Sequence, residues 1–447
     1  MFSKKISLNK INLDYLKIGN NFFLIGIFFL PSALPIGGIF LLISLFISFI
    51  INKENLFQNR WNCLFLVSII GIIFSTLYNS FINPSENIVE FDKSLIWLNL
   101  FNWIPIFLCY LGSQVYLKSR KQIILFIKFL IAGTIPVIAS CILQKYFGIY
   151  GPFSTLYGTI VWFNYNFSEQ EVLRTTGLFN NPNYLGMWLV ICLPLSLTLL
   201  NQEKDKLKWF FLLIINIFFT YFAFSTYSRN AFFGIILSFL IVFERKKLIY
   251  LSILFLGGFL IFGYFLPNLL DINFTGIIDL SAFTRSGNLS SFNANLNHPR
   301  IVIWKSVMQF ISARPFLGWG GGTFAYMFAE KIRILRLQSY QHSHNILFEI
   351  AYNFGIPTAL LIGSTILVMI SKGLKRIYNL KKSISKYSLI QPIVASCMIF
   401  SLAHMTDITY YDGKISIIFS LILAALKNVI DKNNILDKEH ILNTDLK

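Results

Sequence analysis

The chain has 447 residues, 55% of them hydrophobic and 17% aromatic, with only 13% charged and a formal net charge of +18. A soluble chain carries about 25% charged residues, so the composition argues against a soluble enzyme, a nucleic-acid-binding module and a disordered protein. Apolar runs of about 16–22 residues recur along the whole length, enough to cross a bilayer as helix. The sequence therefore predicts an all-α integral membrane protein, a single polytopic domain over 1–447.

In chain order, the stretch from Asn21 to Ile51 is too long for one span. Pro31, Pro35 and the Gly37-Gly38 pair interrupt it, which predicts a hairpin of two short helices. No small-residue cleavage site follows this first run, so it reads as a retained span. Further spans are predicted at 61–80, 95–112, 122–143, 183–200, 209–225, 229–243, 248–266, 343–370, 389–407 and 412–430, about twelve in all. The basic residues test that count. Lys53 and Arg60, then Lys118, Arg120 and Lys121, then Lys204, Lys206 and Lys208, then Arg245, Lys246 and Lys247, and finally a cluster from Lys372 to Lys386 fall in alternate breaks. With Lys4, Lys5, Lys10 and Lys17 in the cytoplasm, all of them follow the positive-inside bias, and both termini are cytoplasmic. The break at 81–94 carries Glu86, Glu90 and Asp92 instead. Cys63, Cys109, Cys141, Cys192 and Cys397 all lie inside apolar segments, which predicts packing rather than disulfides or a metal site.

Two long segments then face outside, 144–182 and 267–341. The second is long enough to form a cap, and loops of that length in a compact fold are usually functional. It carries Arg285, Arg300, Lys305, Arg314, Lys331, Arg333 and Arg336 against Asp271, Asp279 and Glu330. Basic excess on the outer face predicts an anionic ligand.

The densest polar cluster beside an apolar run is Gln341-His342-Ser343-His344-Asn345, followed by Glu349. A neutral imidazole near pH 7 suits removal of a proton from a sugar hydroxyl. Histidines two apart point to different faces of a helix, which disfavours a two-His metal site. Arg229 lies in Ser225-Thr226-Tyr227-Ser228-Arg229-Asn230, an outward turn between spans. An arginine at the bilayer centre costs roughly 2.5–3.5 kcal/mol, so this one belongs at an interface, in a cavity or with a partner. Arg300 follows Pro299, which suits the first position of a helix. Ile303, Trp304 and Val307 make an apolar stripe at helical spacing, predicting an amphipathic surface helix with Arg300 near its positive end, where a phosphate would bind. The run Gly318-Trp319-Gly320-Gly321-Gly322 lacks the Lys-Ser/Thr pair of a P-loop and reads as a tight turn with aromatic packing. Arg174, before the turn-rich Asn180-Asn181-Pro182-Asn183, is a weaker candidate of the same kind as Arg229. Asp407, in His404-Met405-Thr406-Asp407, is a membrane-face carboxylate that could orient Arg229 or His344, or simply cap a helix.

These landmarks resemble the O-antigen ligase and O-antigen polymerase superfamily of bacterial membrane glycosyltransferases. In that family a large outer loop ends in His and then Asn, Ser or Gln, with Gly after nine further residues; here His344-Asn345 is followed at that spacing by Gly355. A second family glycine is replaced by Thr358. The Ser228-Arg229 turn, the Arg300–Trp304 helix and the Pro315–Gly318 turn follow the family order, so the resemblance covers roughly 170–360. It implies transfer of a glycan from a polyprenyl-pyrophosphate donor to a hydroxyl of lipid A core or another saccharide, at the periplasmic face of the inner membrane, without cofactor or metal. His344 would then be the general base, Arg229 and Arg300 the pyrophosphate ligands, and His342 and Asn345 supporting residues. The stretch around Asp407 also resembles relatives described as inorganic-carbon transporters. Secondary transporters usually show repeated halves and broken helices at the midplane; no internal repeat is visible here, and the polar residues gather at one face.

Overall fold

The computed structural model describes residues 2–52, 57–82, 92–169, 172–243, 299–335, 341–379 and 388–431. Each predicted span that falls on them contains helix. The predicted span 248–266, the stretch 267–298 with Arg285, and the segment 336–340 with Arg336 lie outside the described residues, as do Lys53, Glu86, Glu90 and Arg245–Lys247. Among the described residues eight helices are long and apolar enough to cross a membrane, and two shorter apolar helices, Arg229–Val242 and Ile390–Ala403, accompany them.

The predicted hairpin is α1 (Phe2–Phe29) and α2 (Leu34–Asn52), broken around Pro31. Its arms touch closely because Gly37 has no side chain: a Cβ there would meet the backbone of Leu30 and Gly26, the small-residue contact typical of membrane helix pairs. Next come α3 (Arg60–Phe81), α4 (Ser94–Leu98), a short 3-10 turn, α5 (Ile104–Ser113) and α6 (Arg120–Phe147). Asn59 caps α3 by accepting from the Trp61 N–H at 2.9 Å, and Ser119 and Gln122 form a reciprocal capping box at the start of α6.

The segment 144–182, predicted as the smaller outer loop, is not plain coil. Phe153–Thr155 (β1) pairs antiparallel with Ile160–Trp162 (β2), and Phe167–Glu169 (β3) with Val172–Arg174 (β4). The all-helical expectation therefore misses two small hairpins, whose β-branched and aromatic residues favour extended backbone and whose strands are too short to show a period. Then follow α7 (Pro182–Gln202), α8 (Lys206–Ser225) and α9 (Arg229–Val242). Helix α7 is the hub: every residue from Leu185 to Leu200 is buried, whereas in α2 the buried residues are Gly37, Leu41, Ser44, Leu45 and Ser48. On the peripheral helices Leu42, Phe46, Ile70 and Phe74 point outward, as a lipid solvent permits and water would not.

The described part of the large loop contributes α10 (Pro299–Ala313) and α11 (Phe324–Leu335). The predicted span at 343–370 is two helices, α12 (Ile346–Phe354) and α13 (Ile356–Tyr378), separated at Gly355. The chain closes with α14 (Ile390–Ala403) and α15 (Gly413–Asp431). The predicted span 389–407 thus ends as helix at Ala403, and residues 404–412 form an irregular loop beyond it.

The break at Gly355 has a clear cause. Gly318, Gly320 and Gly322 all have positive φ, and the run they shape plugs against it: the Trp319 and Gly320 N–H groups donate to the Tyr352 and Asn353 carbonyls at 2.8 and 3.0 Å, and the Ile356 N–H donates to the Pro315 carbonyl at 2.7 Å. Trp319 stacks under the Arg314 guanidinium at 4.1 Å. Gly355 itself has φ +91°, and a Cβ there would collide with the Phe316 carbonyl. Thr358 fits because it faces Gly71 of α3. Gly355→Ala should therefore fold poorly, since the strained backbone alone costs about 1–3 kcal/mol and the collision adds to it. Detergent-extracted variant should melt several degrees lower; an unchanged melting curve would contradict this account of the break.

Candidate functional site

Four segments meet at one end of the bundle. The first is the turn between α8 and α9. Ser228 caps α9, its Oγ accepting from the Ala231 N–H at 3.4 Å. Tyr227 beside it has φ +51°, and Arg229, the first helical residue, is exposed. The second is the start of α10. Ile303 and Val307 are fully buried, and Trp304 donates its indole N–H to the Ser343 carbonyl at 3.0 Å. That bond fastens the helix to the histidine segment, and Arg300 lies one turn earlier on the same face.

The third segment is Gln341–Asn345. Its backbone is not helical, so the expectation of divergent histidines fails. His344 takes φ +56°, an uncommon conformation for a residue with a side chain, and the two imidazole rings meet edge to face at 4.3 Å. Glu349, buried in α12, holds the bend by accepting the Ser343 N–H at 2.9 Å and the Tyr411 hydroxyl at 2.5 Å. Asn345 is the helix cap: its Oδ1 accepts from the Leu347 and Phe348 N–H groups at 3.0 and 3.1 Å, and its Nδ2 donates to the Met405 carbonyl at 3.0 Å.

The fourth segment is the loop after α14. Asp407 Oδ1 lies 3.1 Å from His344 Nδ1. Its Oδ2 accepts from Asn183 Nδ2 at 3.0 Å, and Asn183 Oδ1 in turn accepts from Arg174 at 2.8 Å. Arg174 Nε also donates to the Thr226 carbonyl at 2.9 Å. Arg174 is buried and works as a clamp between segments, which differs from the ligand role its sequence context suggests. Asn230 ties the same loop to α9 through Thr406 and the Ala403 carbonyl, at 3.1 and 3.3 Å.

Charge follows the geometry. Burial would raise the Asp407 pKa, but the hydrogen bond and charge of His344, with Arg300 and His342, outweigh it and hold the carboxyl below its ordinary value. Burial lowers the pKa of Arg300; Asp407 opposes that effect and neighbouring Arg229 adds to it. The two guanidinium groups are thus close enough to repel, an arrangement that a shared anion relieves. Arg229, Arg300, His342, His344, Asn345 and Asp407 gather at one place, with Arg174 behind them.

The chemistry this permits is acid–base and electrostatic. With Asp407 on Nδ1, the tautomer that carries its proton there makes Nε2 the basic nitrogen of His344. Among the described residues no group of three His, Cys, Asp or Glu side chains is disposed to hold a metal ion. Beneath the segment, between α5, α13 and α15, lies an apolar cavity of about 530 Å³ whose lining includes Ile346, Leu347, Met405 and Tyr410.

His342 gives the site a pH signature. Burial first, then the charge of His344, depress its pKa, and Glu349 and Asp407 do not fully compensate. A depressed folded-state pKa means the unfolded chain binds the proton more readily. The stabilising contribution is therefore present above the ordinary value of about 6.5 and lost as pH falls through the folded-state value. Melting temperature should fall more steeply between about pH 7 and pH 5 in the unmodified chain than in His342→Gln; parallel curves would remove His342 from this role.

The sequence pattern assigns no role to Asn183, Asn230, Glu349 or Tyr411. The Asn181-Pro182-Asn183 cap is visible locally, but its link to Asp407 joins residues 224 positions apart.

A sequence model of the family described as O-antigen ligase matches residues 210–363. Over that stretch the chain carries the signature of the O-antigen ligase and polymerase superfamily, and the resemblance read from its motifs is borne out. Together with the spans, the match indicates a multi-pass protein of the bacterial inner membrane. Arg229, Arg300, His344 and Gly355 fall inside the match; Arg174, Asn183 and Asp407 fall outside it. No curated protein matches the chain.

Proposed function

We propose that the chain transfers a glycan from a polyprenyl-pyrophosphate donor to a hydroxyl of a lipid A core or of another saccharide, at the periplasmic face of the inner membrane. The observation that carries the reading is the His344–Asp407 pair standing beside Arg300 and Arg229. His344 Nε2 takes the proton from the acceptor hydroxyl as its oxygen attacks the anomeric carbon of the donor. The bond from that carbon to the pyrophosphate oxygen breaks, and polyprenyl pyrophosphate departs with the bonding electrons. Arg229 and Arg300 neutralise the charge that develops on the leaving group, while Asp407 stabilises the imidazolium that forms. Twelve spans with both termini in the cytoplasm, and a cap built from 267–341, are the topology that goes with this reading. The apolar cavity below the histidines offers volume for a lipid tail.

The test is transfer by the purified chain in lipid vesicles, supplied with a polyprenyl-pyrophosphate glycan and either a lipid A core or a second lipid-linked saccharide. The expected products are polyprenyl pyrophosphate and an extended acceptor. Product only on the lipid A core identifies a ligase, and product only on the saccharide a polymerase. No product on either overturns the proposal.

A further inference from the structure

Helix α7 starts at the candidate site with Asn183 and ends at the opposite membrane face, where a gap opens between it, α6 and α8. The gap is a groove of about 430 Å³ with walls that include Ile131, Leu199 and Leu212. Lys128, Lys208 and Gln202 also line it. Three observations give this groove a polarity that bulk lipid packing does not explain.

Lys128 lies roughly 12 Å along the axis of α6 from Arg120, inside an otherwise apolar span, and its side chain is exposed. A cation at such a depth is costly and demands an anion or a route to the interface. Among the described residues neither Lys128 nor Lys208 has a carboxylate within ion-pair distance. Gln202 accepts the Arg120 guanidinium on Oε1 at 2.8 Å, yet its Nε2 is buried with no hydrogen-bond partner in the protein. Such a group costs about 1–3 kcal/mol. Glu203, which also lines the groove, is turned toward the α7–α8 connection, its Oε1 accepting from the Lys204 and Asp205 N–H groups at 2.9 and 3.0 Å.

We propose that this groove binds one anionic phospholipid from the leaflet opposite His344. The phosphate sits between Lys128 and Lys208 and accepts from Gln202, and one acyl chain lies along Ile131 and Leu212. A zwitterionic lipid fits the walls equally well but brings its own cation to two lysines, so selectivity is the signature. The site is independent of the transfer reaction, and its failure would leave that reading intact.

Native mass spectrometry of the full chain, released from detergent with equal amounts of phosphatidylglycerol and phosphatidylcholine of identical acyl chains, tests it. Two lysines at about 1 kcal/mol each predict that the first bound lipid is phosphatidylglycerol by about tenfold or more. Lys128→Gln with Lys208→Gln should bring the two lipids close to parity. Lys375→Gln, on α13 at the same membrane face, should leave the preference intact. Parity in the unmodified chain, a preference that survives the double substitution, or equal loss from Lys375→Gln would overturn the proposal.

Discussion

His344→Asn is expected to slow glycan transfer by about 10²–10⁴-fold, the usual contribution of a positioned general base, with the protein present in the membrane at its normal level. Asparagine is the informative substitution because residue 344 has φ +56°. Asparagine adopts that conformation readily, whereas alanine pays for it, so His344→Ala would mix lost chemistry with lost structure. The bend does not depend on the imidazole: Glu349 and Trp304 hold Ser343, and Asn345 caps α12. Asp407→Asn should lower the rate by about 10²-fold or more, since an amide on Nδ1 no longer enforces the productive tautomer or stabilises the imidazolium. Transfer rates in vesicles, normalised to folded protein, check both. Rates within a few-fold of the unmodified chain would remove His344 from the chemistry.

Arg300→Gln should cost about 10²–10³-fold in transfer, the scale seen when one preorganised donor to a developing anion is removed. Here a stability measurement separates catalysis from architecture. Burial, with a smaller effect of Arg229, disfavours the charge of Arg300 more than Asp407 favours it, and the helix that carries Arg300 is anchored by buried Ile303 and Val307 and by the Trp304 bond. Removing the charge should therefore leave the melting temperature unchanged or slightly raised while transfer collapses. Arg300→Lys should recover only part of the rate, because an ammonium keeps the charge but cannot present two parallel donors to a phosphate. A matched fall in stability and rate would assign Arg300 to the fold instead.

Much of the architecture was open to reading because bilayer length and loop charge constrain a membrane chain so strongly. Pro31 and the Gly37-Gly38 pair mark the first hairpin, and Pro299 with its apolar stripe marks α10. Gly355 stands out by its interval from His344, but the reason for it, close approach of the Phe316 carbonyl, lies in a separate part of the chain. Periodicity misled in two places. Helical spacing separates the two histidines, whereas the left-handed His344 brings their rings together. Hydropathy carries the predicted span to 407, past the helix end at Ala403, because it does not detect the loop that holds Asp407. Arg174 was legible as a charge near an outer turn, but its burial between Thr226 and Asn183 depends on three elements that no local pattern connects.

The chain of bonds from Arg174 through Asn183 and Asp407 to His344 has a practical consequence for engineering. The stretch that matches the family supplies the imidazole, but the carboxylate that orients it, and the amide and guanidinium behind that carboxylate, are contributed by neighbours on either side. Grafting residues 210–363 alone onto a related scaffold would pair this histidine with a foreign acid. A working chimera would have to bring along the 174–183 corner and the 404–412 loop as one inherited unit.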